Sequence, residues 1–238
     1  MSSRLVDDVA IPLPVAGHPA LDFCNTRAGW NSTRPKEYLR SPTVLVIWCR
    51  EFGLITAADA DRLIAQGRRE PARAQACLER AIAVREALYP ISLGRGTPIQ
   101  WSLVAAEAAA ARSHTRLVPR RAGATVPAGS DPTRIAVPGV SSPVRSAPDT
   151  GLFGSERHEP GYADWQPEWS GLETAVLAVA GTAADLLTSR LAGSVRACPG
   201  ADCGWLFADP RGRRRWCSMA VCGNRAKARK HRGGGALS

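Results

Sequence analysis

The chain has 238 residues, 45% of them hydrophobic, and a net charge of +10. That is enough apolar material for a packed core, which excludes a wholly disordered chain, and enough length for one large domain or a medium one with a small companion. The longest uncharged apolar run, around residues 175–184, falls far short of the ~20 residues that a membrane-crossing helix needs. The opening MSSRLVDDVAIPLP is interrupted by Asp7, Asp8 and prolines and does not read as a secretory signal. A cytoplasmic location is therefore expected, with the seven cysteines reduced, metal-bound or buried. The charge is concentrated. From Arg196 to Arg232, ten Arg or Lys meet two acids, Asp202 and Asp209, a local balance of +8 that leaves +2 for the rest. Such a field usually serves a polyanion.

The first motif in chain order is GHPALDFCNT, residues 17–26, where His18, Asp22 and Asn25 fall at spacings that share one helical or turn-like face. No second acid or histidine supports catalysis there, so the expected roles are structural. Asp22 and Asn25 satisfy backbone groups, and Asp22 pairs with an arginine, Arg85 being the candidate. Ser41-Pro42 opens a helix with a capping side chain and a proline at the first helical position. Leu45, Trp48, Cys49 and Phe52 then follow at i, i+3, i+4 and i+7, and Gly53 supplies a stop. Thr56 and Asp59 form a variant capping box before Leu63 and Ile64, with an end expected at Gly67. A longer helix is expected from Pro71 to just before Pro90, with Leu78, Ala81, Ile82 and Leu88 on its apolar side. Thr97-Pro98 opens another, carrying Trp101, Val104, Ala105 and Ala108. Between Pro119 and Gln166, seven prolines and six glycines leave no periodicity, and a long irregular excursion is expected. The last clear helix uses Leu172, Val176, Val179, Ala180, Ala183 and Leu187. Cys24, Cys49 and Cys77 are scattered and read as core residues.

The remaining cysteines are Cys198, Cys203, Cys217 and Cys222, spaced C-x4-C, thirteen residues, C-x4-C. Two short loops can deliver two thiolates each to one tetrahedral Zn2+. Asp209-Pro210-Arg211-Gly212 has the residue order of a type I turn. The segment between the pairs is thus expected to be a hairpin, with Trp205 and Phe207 on the incoming strand and Trp216 covering them from the returning one. So small a unit has too little core to fold alone, and the metal would supply much of its folding free energy. After Cys222, Arg225, Arg229 and Arg232 share one side of a helix at i, i+4 and i+7, flanked by Lys227 and Lys230, while Arg213, Arg214 and Arg215 approach from the hairpin. Oriented Arg and Lys at this density suit phosphate contacts. Four thiolates around one zinc contribute about −2, which leaves the module near +6.

The stretch CPGADCGWLFADPRGRRRWCSMAVCGNRAKARKHR resembles the CGNR zinc finger, named for the tetrapeptide Cys222-Gly223-Asn224-Arg225 here. The likeness extends to Trp205, Phe207, Trp216, Ser218, Met219 and Lys227. GHPALDFCNT, VREALY at 84–89 and AADLLTSRL at 183–191 are similar to the ABATE domain that commonly precedes that finger. Residues 209–215 depart from the family pattern by being a little shorter, and the Pro/Gly-rich stretch 127–168 is unlike the family's middle region. The resemblance implies a bacterial transcription regulator with stress-related roles, in which the finger contacts DNA.

The expected fold is mainly α. An ABATE-like helical domain covers residues 10–192, with an irregular insertion at about 119–166, and a zinc-binding β-hairpin plus helix covers 194–233. The expected ligands of one structural zinc are Cys198, Cys203, Cys217 and Cys222. The expected nucleic-acid contacts are Arg213, Arg214, Arg215, Arg225, Lys227, Arg229, Lys230 and Arg232. A homodimer would supply surface that one finger lacks, and the helical domain would dimerise or sense a small-molecule effector. The alternative is a zinc-stabilised RNA- or acidic-protein-binding module, in which Trp205 or Trp216 stacks on bases. No enzyme is expected: the chain has no G-x-S-x-G elbow, no G-x-x-x-x-G-K-[ST] loop and no H-E-x-x-H. A zinc held by four thiolates also has no open coordination position.

Overall fold

The computed structural model describes residues 3–119 and 163–233. Most of the irregular stretch expected at 119–166 lies outside the described residues. The chain opens with a hairpin, β1 (Ser3–Val6) and β2 (Val9–Pro12), closed by Asp7 and Asp8 at φ 48° and 60°. Two successive positive φ values make the tight turn whose twist matches the strands. Ion pairs Arg50–Asp7 and Arg4–Glu51, both 2.8 Å, tie this hairpin to the next long helix. Between them lie the short helix α1 (Pro19–Cys24) and a two-residue ladder of β3 (Arg27–Ala28) and β4 (Lys36–Glu37).

The helices begin where local chemistry says they should. The Ser41 side chain accepts from Val44 N–H to start α2 (Pro42–Glu51), and the reciprocal Thr56/Asp59 box starts α3 (Ala57–Arg69). Thr97 and Gln100 form a second such box at the head of α5 (Pro98–Ser113). Two expected ends move. Gly67 does not stop α3; a Cβ there would sit 3.4 Å from the Cβ of Ala74, so the glycine lets α3 lie close against α4 (Pro71–Ser92). That helix runs through Pro90 for its last turn. Proline removes one N–H bond, yet its own carbonyl still accepts from Leu93 and Arg95, and Gly94 at φ 70° makes the stop. On α5, Val104 and Ala111 are buried, whereas Trp101 and Ala105 face outward, contrary to the stripe read from sequence.

The apolar helix α6 (Thr174–Thr188) runs through the middle of this body, packing on α4 and α5 and touching α1 and α2. Trp48, Phe23, Leu45, Leu78, Val84, Val176 and Val179 form the main core around it. Cys24, Cys49 and Cys77 are all buried, as apolar filling. One charge is buried with them. The Arg85 side chain is 1% exposed, and it forks onto Glu37 at 2.6 and 2.8 Å, reaches Glu86 at 2.9 Å and bonds Thr26. The expected Asp22–Arg85 pair is therefore absent: Glu37 in β4 offers two oxygens to the planar fork, and the Asp22 carboxyl accepts from Val15 and Ala16 N–H instead.

After α5, β5 (Thr115–Pro119) pairs antiparallel with β6 (Ala163–Pro167), setting Leu117 opposite Trp165. This hairpin forms a unit of its own with the Arg116–Glu168 ion pair. The C-terminal part follows α6 with β7 (Val195–Ala197), β8 (Leu206–Ala208) and α7 (Asn224–Gly233). Its apolar residues do not form a separate core. Leu206 and Ala208 belong to a cluster with Leu21, Leu88, Tyr89 and Leu186, and Trp205 and Phe207 to one with Ala28 and Tyr38. Among the described residues no helix is long and apolar enough to cross a membrane.

Candidate metal centre

The first cysteine loop is the tip of the β7–β8 hairpin. Arg196 pairs with Phe207 in the ladder, and Cys198 N–H extends it by donating to the Trp205 carbonyl at 2.8 Å. The chain then reverses through Gly200, whose carbonyl accepts from Cys203 N–H, with Asp202 and Gly204 at φ 58° and 69°. The second loop is a wide helical turn. Cys222 and Gly223 both donate to the Ser218 carbonyl, and α7 starts at the next residue.

The four sulfurs lie within 4.8 Å of one another, with Cys203–Cys217 and Cys217–Cys222 each at 3.7 Å, and all four residues are buried. A tetrahedron of thiolates about 2.3 Å from zinc has edges of roughly 3.8 Å, so the donor set and its spacing fit that ion. Room is made by Gly200: a Cβ there would approach Cys222 Sγ to 3.2 Å and Cys198 Sγ to 3.5 Å. Hydrogen bonds from Cys203 and Cys217 hold the Cys198 thiol well below its ordinary range, whereas hydrogen bonding with Cys198 and Cys203 holds the Cys217 thiol well above it. The arrangement is that of one structural zinc site with four buried cysteine ligands.

The hairpin expected between the two cysteine pairs lies one strand earlier. The 209–212 turn does form, with Gly212 N–H donating to Asp209 O, but Trp216 returns on no strand. The outer edge of β8 is already taken. Asn25, at the C-cap of α1, donates from Nδ2 to Leu206 O at 3.0 Å and accepts from Leu206 N–H at 2.8 Å, and Ala208 N–H donates to Ala16 O. An edge so occupied has no place for a returning strand. Residues 213–217 instead fold over the end of the sheet. There the Arg214 guanidinium donates to the carbonyls of Ala208, Val15 and Cys217 and stacks 4.7 Å from the Phe207 ring.

The body grips the knuckle elsewhere too. Trp30 N–H donates to Cys203 O, its ring stacks on Tyr89 at 3.8 Å, and Tyr89 donates to Gly204 O at 2.7 Å. Gly204 needs its missing side chain twice over: besides its positive φ, a Cβ would lie 2.7 Å from Trp30 Cβ. Trp205 is 2% exposed and gives its Nε1–H to Arg27 O. His18, Asp22 and Asn25 are thus joinery. His18 is the N-cap of α1, and burial lowers it to about 4, which leaves Nδ1 free to accept from Ala20 N–H. Asp22 accepts from Val15 and Ala16 N–H and so shapes the loop that meets Arg214 and β8.

Burial pushes the Asp22 carboxyl up to about 7, against the pull of two N–H bonds and the Arg214 charge. The folded chain then keeps a proton that the unfolded chain releases near its ordinary value, so stability falls as pH rises from about 4 toward 7 and levels off above. Asp22→Asn is expected to flatten that fall in urea titrations at matched zinc loading. Parallel profiles for the two proteins would refute a protonated Asp22.

The predicted cationic residues are placed unequally. Arg213 and Arg215 are exposed at the end of the turn, and Arg225, Lys227 and Arg229 are exposed on α7. Arg214 is committed inward, which removes it from the surface set. The Lys230 and Arg232 side chains lie outside the described residues. The expectation that Asn25 satisfies backbone groups holds, at Leu206 of the finger; Trp30 and Tyr89 were missed as partners of the knuckle.

A helical body that clamps a closed four-cysteine knuckle, with a basic helix beyond it, defines a zinc-finger protein whose finger is built into its partner domain. Residues 17–190 match the family ABATE, described as "Putative stress-induced transcription regulator", and residues 194–233 match the CGNR zinc finger. The chain belongs to the ABATE family and carries a C-terminal CGNR zinc finger. Neither is an enzyme family. No curated protein and no solved structure matches the chain.

Proposed function

We propose that this chain is a DNA-binding transcription regulator. In this reading Cys198, Cys203, Cys217 and Cys222 hold one structural zinc, and the finger meets the sugar-phosphate backbone through Arg213, Arg215, Arg225, Lys227, Arg229, Lys230 and Arg232. The observation that carries it is α7: a helix with exposed Arg225, Lys227 and Arg229 that leads directly out of the turn holding the buried Cys222. A helix without an apolar face has little stability of its own, and the metal loop gives it a fixed direction. Arg214 does not belong to the contact set, since its donors satisfy three carbonyls. Of the two rings that a single-stranded RNA reading would stack on bases, Trp205 is buried and bonded to Arg27 O, while Trp216 is half-buried with the Arg215 guanidinium over its face.

The test is a duplex titration at rising salt. Affinity is expected to fall steeply between 50 and 200 mM, as counterion release requires. The triple variant Arg225/Arg229/Arg232→Ala is expected to bind at least about tenfold more weakly, with the slope of log K against log salt reduced by roughly 2–3. An affinity indifferent to salt, or a triple variant that binds like the parent, would overturn the reading.

A further inference from the structure

We infer that the finger carries a phosphate-binding groove beside the metal knuckle, distinct from α7 and completed by Arg196. The groove, roughly 380 Å³, is lined by four arginines from two separate stretches: Arg196 in β7, and Arg213, Arg214 and Arg215 after the turn. Its walls lead directly into the knuckle, since Arg196 and Pro199 flank Cys198 and Arg215 lies two residues before Cys217. The inference rests on the finger being a DNA contact and names the chemical group that this part of it holds.

Each arginine has a different freedom, and the differences make a site. Arg214 cannot swing out. Its three carbonyl bonds and its stacking on Phe207 fix a positive charge in the groove wall without offering a hand to the ligand. Arg215 lies over the Trp216 ring at 5.3 Å, which restrains its guanidinium near the surface. Arg196 is anchored by its strand but 62% exposed at the side chain, and its Nε stands 3.7 Å from Asp209 Oδ2, too far for a hydrogen bond. Asp209 itself is 3% exposed and accepts from Arg213 N–H through its other oxygen. The carboxylate therefore steers Arg196 and the turn while lying below the surface that a ligand would touch. Four guanidiniums outweigh that one acid and the double negative charge of a zinc-thiolate centre combined.

Planar guanidiniums arriving from two sides match the oxygens of a phosphate ester, which can accept from more than one fork at once. The open groove has room for a phosphodiester and part of its flanking sugars. Sharing a module with α7, it is expected to hold a backbone phosphate of the nucleic acid, so that the strand contacts the finger at two places. The same chemistry would accept a free phosphorylated small molecule, and the experiment separates the two.

The full-length zinc-loaded chain is compared with Arg196→Gln and, independently, Arg213→Gln, both at exposed side chains, with zinc content checked in each. Binding of a short fluorescein-labelled duplex is measured by anisotropy over a salt series, and stabilisation by inorganic phosphate and pyrophosphate by thermal shift. Each variant is expected to bind duplex about 3–10-fold more weakly near 0.1 M salt, with the salt slope lowered by about 1. That outcome assigns the groove to the nucleic-acid backbone. If the parent binds no duplex but is stabilised by pyrophosphate, and Arg196→Gln is not, the groove stands as a site for a free phosphate ester while the DNA-binding reading falls. If neither duplex affinity, salt slope nor phosphate stabilisation depends on Arg196 and Arg213, the groove is overturned, whatever α7 does.

Discussion

A zinc-free sample of this chain is expected to lose the fold of residues 194–233 and, with it, part of the stability of the helical body. The four cysteines are not the edge of a finished structure but the centre of a core that contains Trp205, Phe207, Ala28 and Tyr38. Without the ion, four buried thiols remain where only close sulfur packing held two loops together, and the turn that starts α7 has no anchor. Structural zinc sites in finger peptides are worth about 10–16 kcal/mol at neutral pH, so the loss is large compared with the margin of a typical domain. Removing zinc with a chelator, or replacing one ligand by Cys203→Ser, should lower the melting temperature by roughly 10 °C or more. It should also red-shift the tryptophan emission as Trp205 meets water. Because thiolates must be deprotonated to bind, the same change is expected on mild acidification. A demonstrably metal-free chain with unaltered emission and melting temperature would show that the cysteine cluster needs no ion.

The second large effect is predicted at a residue far from the finger in sequence. Asn25→Ala should destabilise the protein by about 2–4 kcal/mol, because it strips both the N–H and the C=O of Leu206 of their partners in a fully buried place. For a chain of this size that corresponds to a melting temperature lower by roughly 5–15 °C. Asn25→Asp should be no rescue: it keeps an acceptor for Leu206 N–H, offers no donor to Leu206 O, and brings a charge into the core. The variant is also expected to hold zinc less tightly, since Leu206 lies between the cysteine loop and the 209–212 turn. Differential scanning calorimetry with a competitive zinc chelator reads both effects. An Asn25→Ala protein with parental stability and zinc affinity would mean that water replaces the side chain at that edge.

The helix starts were read correctly from sequence because their chemistry acts within a few residues. Ser41-Pro42, the Thr56/Asp59 box and Thr97-Pro98 mark helix starts because a side-chain oxygen only has to reach an N–H two or three positions on. The cysteine quartet was legible for a similar reason, since two four-residue spacings bring each pair of sulfurs together regardless of the rest of the fold. At Pro90 the local bonds to its own carbonyl carried the helix on, but in three other places a distant partner decided the outcome. Gly67 looked like a stop and is a contact point for Ala74; Arg85 was offered Asp22 and chose Glu37; Trp216 was given a strand that the edge of β8 could not accept.

By itself, then, the sequence determined that the protein is mainly helical, that its last four cysteines make a metal knuckle, and that a dense positive charge follows. Only the tertiary structure decided that the finger is no appendage. Its strand β8 is bonded on one side to β7 and on the other to Asn25 and Ala16, more than 180 residues earlier, and it buries Leu206 and Trp205 in cores that the helical body completes. The physical reason is that an exposed strand edge satisfies its N–H and C=O groups with whatever the fold brings alongside. No pattern of neighbouring residues records which part of the chain that will be.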